Sequence, residues 1–153
     1  MLSNFEIEDI VKELKIPDFR ACICKDELKN NKVMNGSYII NMQNNRDGQG
    51  THWVALFIDK QMHPWYFDSF GFICPQEVIA FCKRTRNKIG YSNKEIQDIK
   101  SQSCGYYCIA FIQAMSKQMS YYEKSPEMRF NEFLNHFNFD PKKNELILHK
   151  LLP

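Results

Sequence analysis

The chain has 153 residues, 44% hydrophobic and 25% charged, with a formal net charge of +2. That size and balance suit a single domain, residues 1–153, able to bury a core without covalent staples. They create no demand for a nucleic-acid partner, and no apolar run of about 18 residues exists to span a membrane.

The N-terminus carries acids and lacks the basic-then-apolar pattern of a secretion signal. The expectation is a protein that is not secreted and works in a reducing compartment. Its six cysteines (22, 24, 74, 82, 104, 108) then read as free thiols. Cys22-x-Cys24 and Cys104-x3-Cys108 do not give the two short-spaced ligand pairs of a zinc finger. No metal and no cofactor is expected.

In chain order, Phe5, Ile7, Ile10, Val11 and Leu14 form one apolar stripe of a helix, capped by Ser3 or Asn4 and ended by Pro17. Residues 17–36 are mixed, with one short helix over 26–31. Residues 37–42 read as a short strand and 43–50 as a polar surface loop. Residues 51–59 and 64–69 are strong strands joined by a turn at 60–63. Both are apolar on both faces, so the sheet is expected to be covered on both sides.

Helix is expected over 75–86, with Val78, Ile79, Phe81 and Cys82 facing the core. The cluster Lys83, Arg84, Arg86 and Lys88 at its end reads as a solvated helix terminus. A short strand over 88–92 follows. Further helices are expected from Cys104 to about Gln118 and over 127–137, then a last apolar element over 144–152. The order is that of an α+β domain.

Cys104 sits where a polar loop becomes an apolar helix, with Cys108, Phe111, Ile112 and Met115 at helical spacing behind it. A helix start offers unpaired N–H groups and a positive dipole end. A thiol there ionises more easily, and the thiolate is the nucleophile. Gly105 adds no side chain, which would leave room for a substrate beside the sulfur.

The two strong strands read as an antiparallel hairpin turning near Lys60, which sets His52 opposite Asp68 on one face. Opposed Cβ atoms lie roughly 4.5–5.5 Å apart, within reach of a carboxylate–imidazole bond. A slip of one residue would separate the two onto opposite faces. A histidine so held has a fixed tautomer and a stabilised imidazolium.

Three blocks in order carry a resemblance: Gly50-Thr51-His52-Trp53, then Tyr66-Phe67-Asp68-Ser69-Phe70-Gly71-Phe72, then Gln97-x6-Cys104-Gly105-x-x-Cys108. They resemble the adenovirus-type (adenain-like) cysteine proteases, related to the ubiquitin-like-protein proteases. The chain looks closest to the maturation proteases of virophages and Polinton transposons. The likeness runs from about residue 5 to 115; the last forty residues are less distinctive.

The resemblance implies a papain-like α+β fold with the nucleophile at the start of a central helix. It implies Cys104 as nucleophile, His52 as base and then acid, and Asp68 orienting His52. Gln97 matches the oxyanion-hole glutamine, at a spacing that Gln102 does not match. Trp53 resembles the aromatic that flanks the site, and with Gly105 is expected to line the substrate groove. The implied activity is endopeptidase cleavage of capsid or other virion precursors at glycine-containing sites, by a monomer at the place of virus assembly. The known adenoviral members use a peptide activator tethered through a cysteine upstream of the glutamine. Residues 83–96 hold no cysteine here, so the sequence does not support peptide or DNA activation. Two other readings stay open: a protease that removes ubiquitin-like modifiers, and a non-catalytic interaction domain in which Cys104 is core packing.

Overall fold

The computed structural model describes residues 1–44, 52–117 and 124–152. Its elements are α1 (Asn4–Glu13), β1 (Phe19–Cys24), β2 (Gly36–Asn41), β3 (Trp53–Ile58), β4 (Pro64–Phe67), α2 (Gln76–Lys83), α3 (Cys104–Ser116), α4 (Pro126–Asn135) and α5 (Asn144–Leu151). Short 3₁₀ turns cover Lys25–Asn30 and Pro141–Lys143. The expected loop over 43–50 lies mostly, and the far end of the Cys104 helix partly, outside the described residues.

One four-stranded sheet runs in the order β1-β2-β3-β4. β1 is parallel to β2, and the other pairs are antiparallel. Alternation along β3 and β4 divides the core. Trp53, Ala55 and Phe67 point to one face, with Ile39 and most of α3; Val54, Leu56, Ile58 and Tyr66 point to the other, with Val78, Phe81 and Cys82 of α2. Helix α3 is buried on nearly every side, because the sheet covers one flank and α1, α4 and α5 approach the others.

Three elements differ from their expected form. β1 was hidden in a mixed segment because it is an edge strand with one buried residue, Cys22. Residues 88–92 make one bridge, Trp65 with Gly90, instead of a strand. The Trp65 ring lies over Gly90, so a Cβ there would come within 2.4 Å of it. Helix α2 stops early because Arg86 takes a left-handed conformation (φ 65°), held by Asn87 N–H donating to Thr85 Oγ1 at 3.1 Å. Ser3 caps α1, one of the two expected residues: Ser3 and Glu6 form a capping box, two reciprocal hydrogen bonds that satisfy amides the helix cannot. The helix ends at Glu13, ahead of Pro17, and Lys15 takes a left-handed conformation (φ 55°).

An aromatic cluster ties α3 to the sheet and to α4. Phe111 stacks on Phe67 at 4.9 Å and meets Phe133 edge-on at 5.5 Å. Phe111 is fully buried. Phe111→Ala should therefore cost about 3–5 kcal/mol of unfolding free energy, read from urea denaturation. A loss under about 1 kcal/mol would mean that this cluster does not hold α3 in place.

Candidate active site

The β3–β4 ladder pairs Ala55 with Phe67 and Leu56 with Tyr66, two residues along from the expected register. A shift of two preserves the face. His52 precedes β3 and Asp68 follows β4, so the two leave the ladder at the same end of the sheet. His52 Nε2 meets Asp68 Oδ1 at 2.8 Å. Continued by two residues, the ladder sets His52 opposite Phe70, and those rings stack at 4.5 Å.

Asp68 is itself fixed. Its Oδ1 also accepts the Phe70 amide at 2.9 Å, and its carbonyl accepts the Gly71 amide at 2.9 Å. Gly71 has φ +74°, and a Cβ there would lie 2.6 Å from the Asn93 carbonyl oxygen. Only glycine fits this turn without strain.

With Nε2 taken by Asp68, Nδ1 is the nitrogen left for chemistry. It is buried without a hydrogen-bond partner, and Cys104 lies beside the ring. Burial alone would push the ring toward neutrality. The Asp68 hydrogen bond, the Cys104 sulfur and the charge of both outweigh it and raise His52 to about 9. Cys104 is the first residue of α3, next to an N-cap, Ser103, that offers no side-chain bond. The remaining five thiols are pushed up, chiefly by burial: Cys22, Cys74 and Cys82 to about 12, Cys108 well above its usual value, and Cys24 upward as well. All six are free.

Gln97 is fully buried, whereas Gln102 is exposed. Ser69 Oγ donates to Gln97 Oε1 at 2.5 Å, and Gln97 Nε2 donates to the Ser101 carbonyl at 2.9 Å. These two bonds fix which end of the amide faces which way. One N–H of the amide stays available, since an amide nitrogen has two. The Ser69 carbonyl accepts the amides of both Ile96 and Gln97 at 2.9 Å.

The two expected groove residues are placed differently. Trp53 is 5% exposed and packs in the α3-side core, because its odd position on β3 turns it inward. Its indole donates to the Leu2 carbonyl at 2.9 Å. The space over Gly105 is filled by Leu2, whose Cδ1 would lie 3.1 Å from an added Cβ. Both residues hold the N-terminal segment against α3.

Sequence reasoning missed the supports of the loop over 91–103. Asn144 Nδ2 donates to the Ile96 carbonyl at 2.8 Å, and Ser101 donates to Glu145. Lys94 Nζ donates to the Leu134 and Phe137 carbonyls at 2.8 and 2.9 Å. No local pattern signals partners forty or more residues away. Ser69 was the nearest to visible, since it follows Asp68 directly. Among the described residues, one group of possible metal ligands comes together, Cys24, Asp26 and Glu27; Glu27 is engaged by the Cys24 amide at 3.0 Å.

No family model matches the chain. Its sequence is similar to that of the SUMO-1 cysteine protease of African swine fever virus, 35% identical over 86 residues, covering 48% of this chain and 32% of that protein. It is also similar to the protease of bovine adenovirus C serotype 10, 27% identical over 113 residues, covering 64% and 57%. The matched stretch thus spans a third to somewhat over half the length of these relatives. Among solved structures, a selenomethionine crystal structure of an African swine fever virus protease superposes with a TM-score of 0.63 at 20% identity, over 97% of this chain and 67% of that one. A second crystal structure of that protease gives 0.59 at 19% identity, over 97% and 66%. The fold is the α+β fold of that African swine fever virus protease.

The raised His52 value has a testable consequence. Its Cε1–H NMR resonance should titrate near 9 instead of near 6.5, and Asp68→Asn should move that midpoint down. Because the folded value is the higher one, the pair's contribution to stability is fully present below about 6.5 and is lost as pH rises through about 9. A midpoint near 6.5 in the intact protein would contradict the pairing.

Proposed function

We propose that the chain is a cysteine endopeptidase in which Cys104, His52, Asp68 and Gln97 carry the reaction. One observation supports this above the others: a half-buried imidazole has one nitrogen fixed by a carboxylate, the other without a hydrogen-bond partner, and beside the ring a thiol that opens a helix. A carboxylate, an imidazole and a nucleophile in that succession are what acyl transfer needs. The relatives named as cysteine proteases support the same reading.

In this reading His52 rests as an imidazolium and supplies the counter-charge for a thiolate at Cys104. The sulfur attacks the scissile carbonyl and forms a tetrahedral oxyanion. The free N–H of the Gln97 amide and the Cys104 backbone N–H receive that charge. The intermediate collapses as His52 gives its proton to the leaving amine, leaving a thioester. His52, now neutral, takes a proton from water, and the resulting hydroxide releases the acid. Asp68 keeps Nδ1 aimed at the sulfur throughout.

The proposed substrates are capsid or other virion precursors cut at glycine-containing sites, at the place of virus assembly, as in the maturation proteases of virophages and Polinton transposons. A second reading, removal of a ubiquitin-like modifier, draws support from the name of the African swine fever virus relative. Incubation with virion precursors and with a SUMO-1 fusion, followed by mass spectrometry of new termini, separates the two. Cys104→Ala should abolish every new terminus while leaving thermal unfolding in place. Termini that persist in that variant would remove the thiol from the mechanism.

A second experiment addresses the amide. Gln97→Ala should lower kcat by about 10²–10³-fold with little change in KM, because an oxyanion donor acts mainly in the transition state. Gln102→Ala, at an exposed position, should have a much smaller effect. Kinetics with one peptide substrate decide this: a large kcat loss at Gln102 and none at Gln97 would reverse the assignment.

A further inference from the structure

The loop that leaves Asp68 continues as an exposed apolar path. Phe70, stacked on His52, lies 5.7 Å from Phe72. Phe72 is 58% exposed and Ile73 87%. This stretch is held in shape by the Gly71 turn against Asn93, so its apolar side chains are presented rather than free to fold away. Ile73 then borders a groove of about 680 Å³ between this loop, α2 and residues 86–91.

The groove is lined by the aliphatic Ile73, Ile79 and Ile89 and by Tyr91; its charged lining residues are Lys83, Arg86 and Lys88, with no carboxylate. None of the three cations forms an ion pair among the described residues. Arg86 is carried on a left-handed backbone (φ 65°), a strained conformation. It is anchored on one side by Thr85 Oγ1 donating to the Cys82 carbonyl at 2.7 Å. On the other, Asn87 Nδ2 donates to the Met62 carbonyl at 3.0 Å. The turn fixes where that cation stands.

We infer that this groove is a docking site for an extended segment of the protein substrate, one combining aliphatic and acidic side chains, at a distance from the bond that is cut. The inference rests on the protease reading for its meaning. Exposed aliphatic side chains lose water only against an apolar partner, and an all-cationic set of charges selects acidic flanks and repels basic ones. The path through Phe72 and Phe70 joins the groove to His52, so one continuous chain could occupy both. A nucleic acid fits less well: its affinity comes from many phosphate contacts and from successive base stacking, and this groove offers three cations and a single aromatic, Tyr91, among aliphatic side chains.

The test is fluorescence anisotropy on the full chain with three labelled probes: a short peptide of leucine, glutamate and glycine, the same peptide with lysine for glutamate, and an oligothymidine. The acidic peptide should bind, and the lysine peptide and the oligothymidine should bind more weakly. Lys83→Glu combined with Lys88→Glu, two exposed positions outside the catalytic machinery, should weaken the acidic peptide by about tenfold or more. Ile79→Ser, which keeps the charges, should weaken it as well. Failure of the acidic peptide to bind, equal binding to the charge-reversed protein, or tighter binding of the oligothymidine would overturn the inference. The rate of Cys104 alkylation by iodoacetamide, measured on the same proteins, is read separately. It should be unchanged by the groove variants. A Cys104 no faster than a model thiol would count against the protease reading without altering the anisotropy result.

Discussion

The candidate site depends on two consecutive residues at the end of β4. Asp68 gives its side chain to His52 and to the turn that follows. Ser69 gives its carbonyl to Ile96 and Gln97 and its hydroxyl to the Gln97 side chain. The imidazole and the amide are therefore positioned from the same strand end. A strand paired along its length is a stiff reference, and hydrogen bonds of 2.5–2.9 Å to it leave little room for drift. Chemistry of this kind loses rate steeply when groups are misplaced by about an ångström.

Cys104 reaches this strand end by a different route. Helix α3 is buried between the sheet and three other helices, and the aromatic cluster around Phe111 sets its depth. Its first residue emerges beside His52. Leu2, held by Trp53, closes the side of α3 over Gly105. The glycine serves close packing here, since the smallest side chain lets the N-terminal segment lie directly on the helix. From the opposite side, α4 and α5 hold the loop bearing Gln97 through Lys94, Asn144 and Glu145. The C-terminal helices thus brace the candidate site through its loop.

Environment distinguishes the six thiols. Burial raises Cys22, Cys82 and Cys108 most, because a thiolate in apolar surroundings has nothing to replace its water, and neighbouring negative groups, Glu8 at Cys22 and Asp68 at Cys108, add to it. Cys104 is equally buried and lies beside the His52 imidazole, which Asp68 helps to hold above its usual pKa. The same carboxylate that orients the ring thereby sets the electrostatics felt by the sulfur.

The α+β class, the two main strands, the helix behind Cys104 and the shared face of His52 and Asp68 were legible in the sequence, because each rests on local periodicity and period-two alternation. That parity survived a register two residues from the expected one, since an even shift returns every side chain to its face. The edge strand β1 and the single bridge at Gly90 were not legible: their form depends on the neighbour they pair with, and their own residues bury little. Nor was it legible that Trp53 and Gly105 seat the N-terminal segment, or that Asn144 and Glu145 brace the loop of Gln97. Those contacts join residues some fifty or a hundred positions apart, or forty and more. Spacing along a chain specifies which face a side chain takes, and only the packed fold specifies what meets it there.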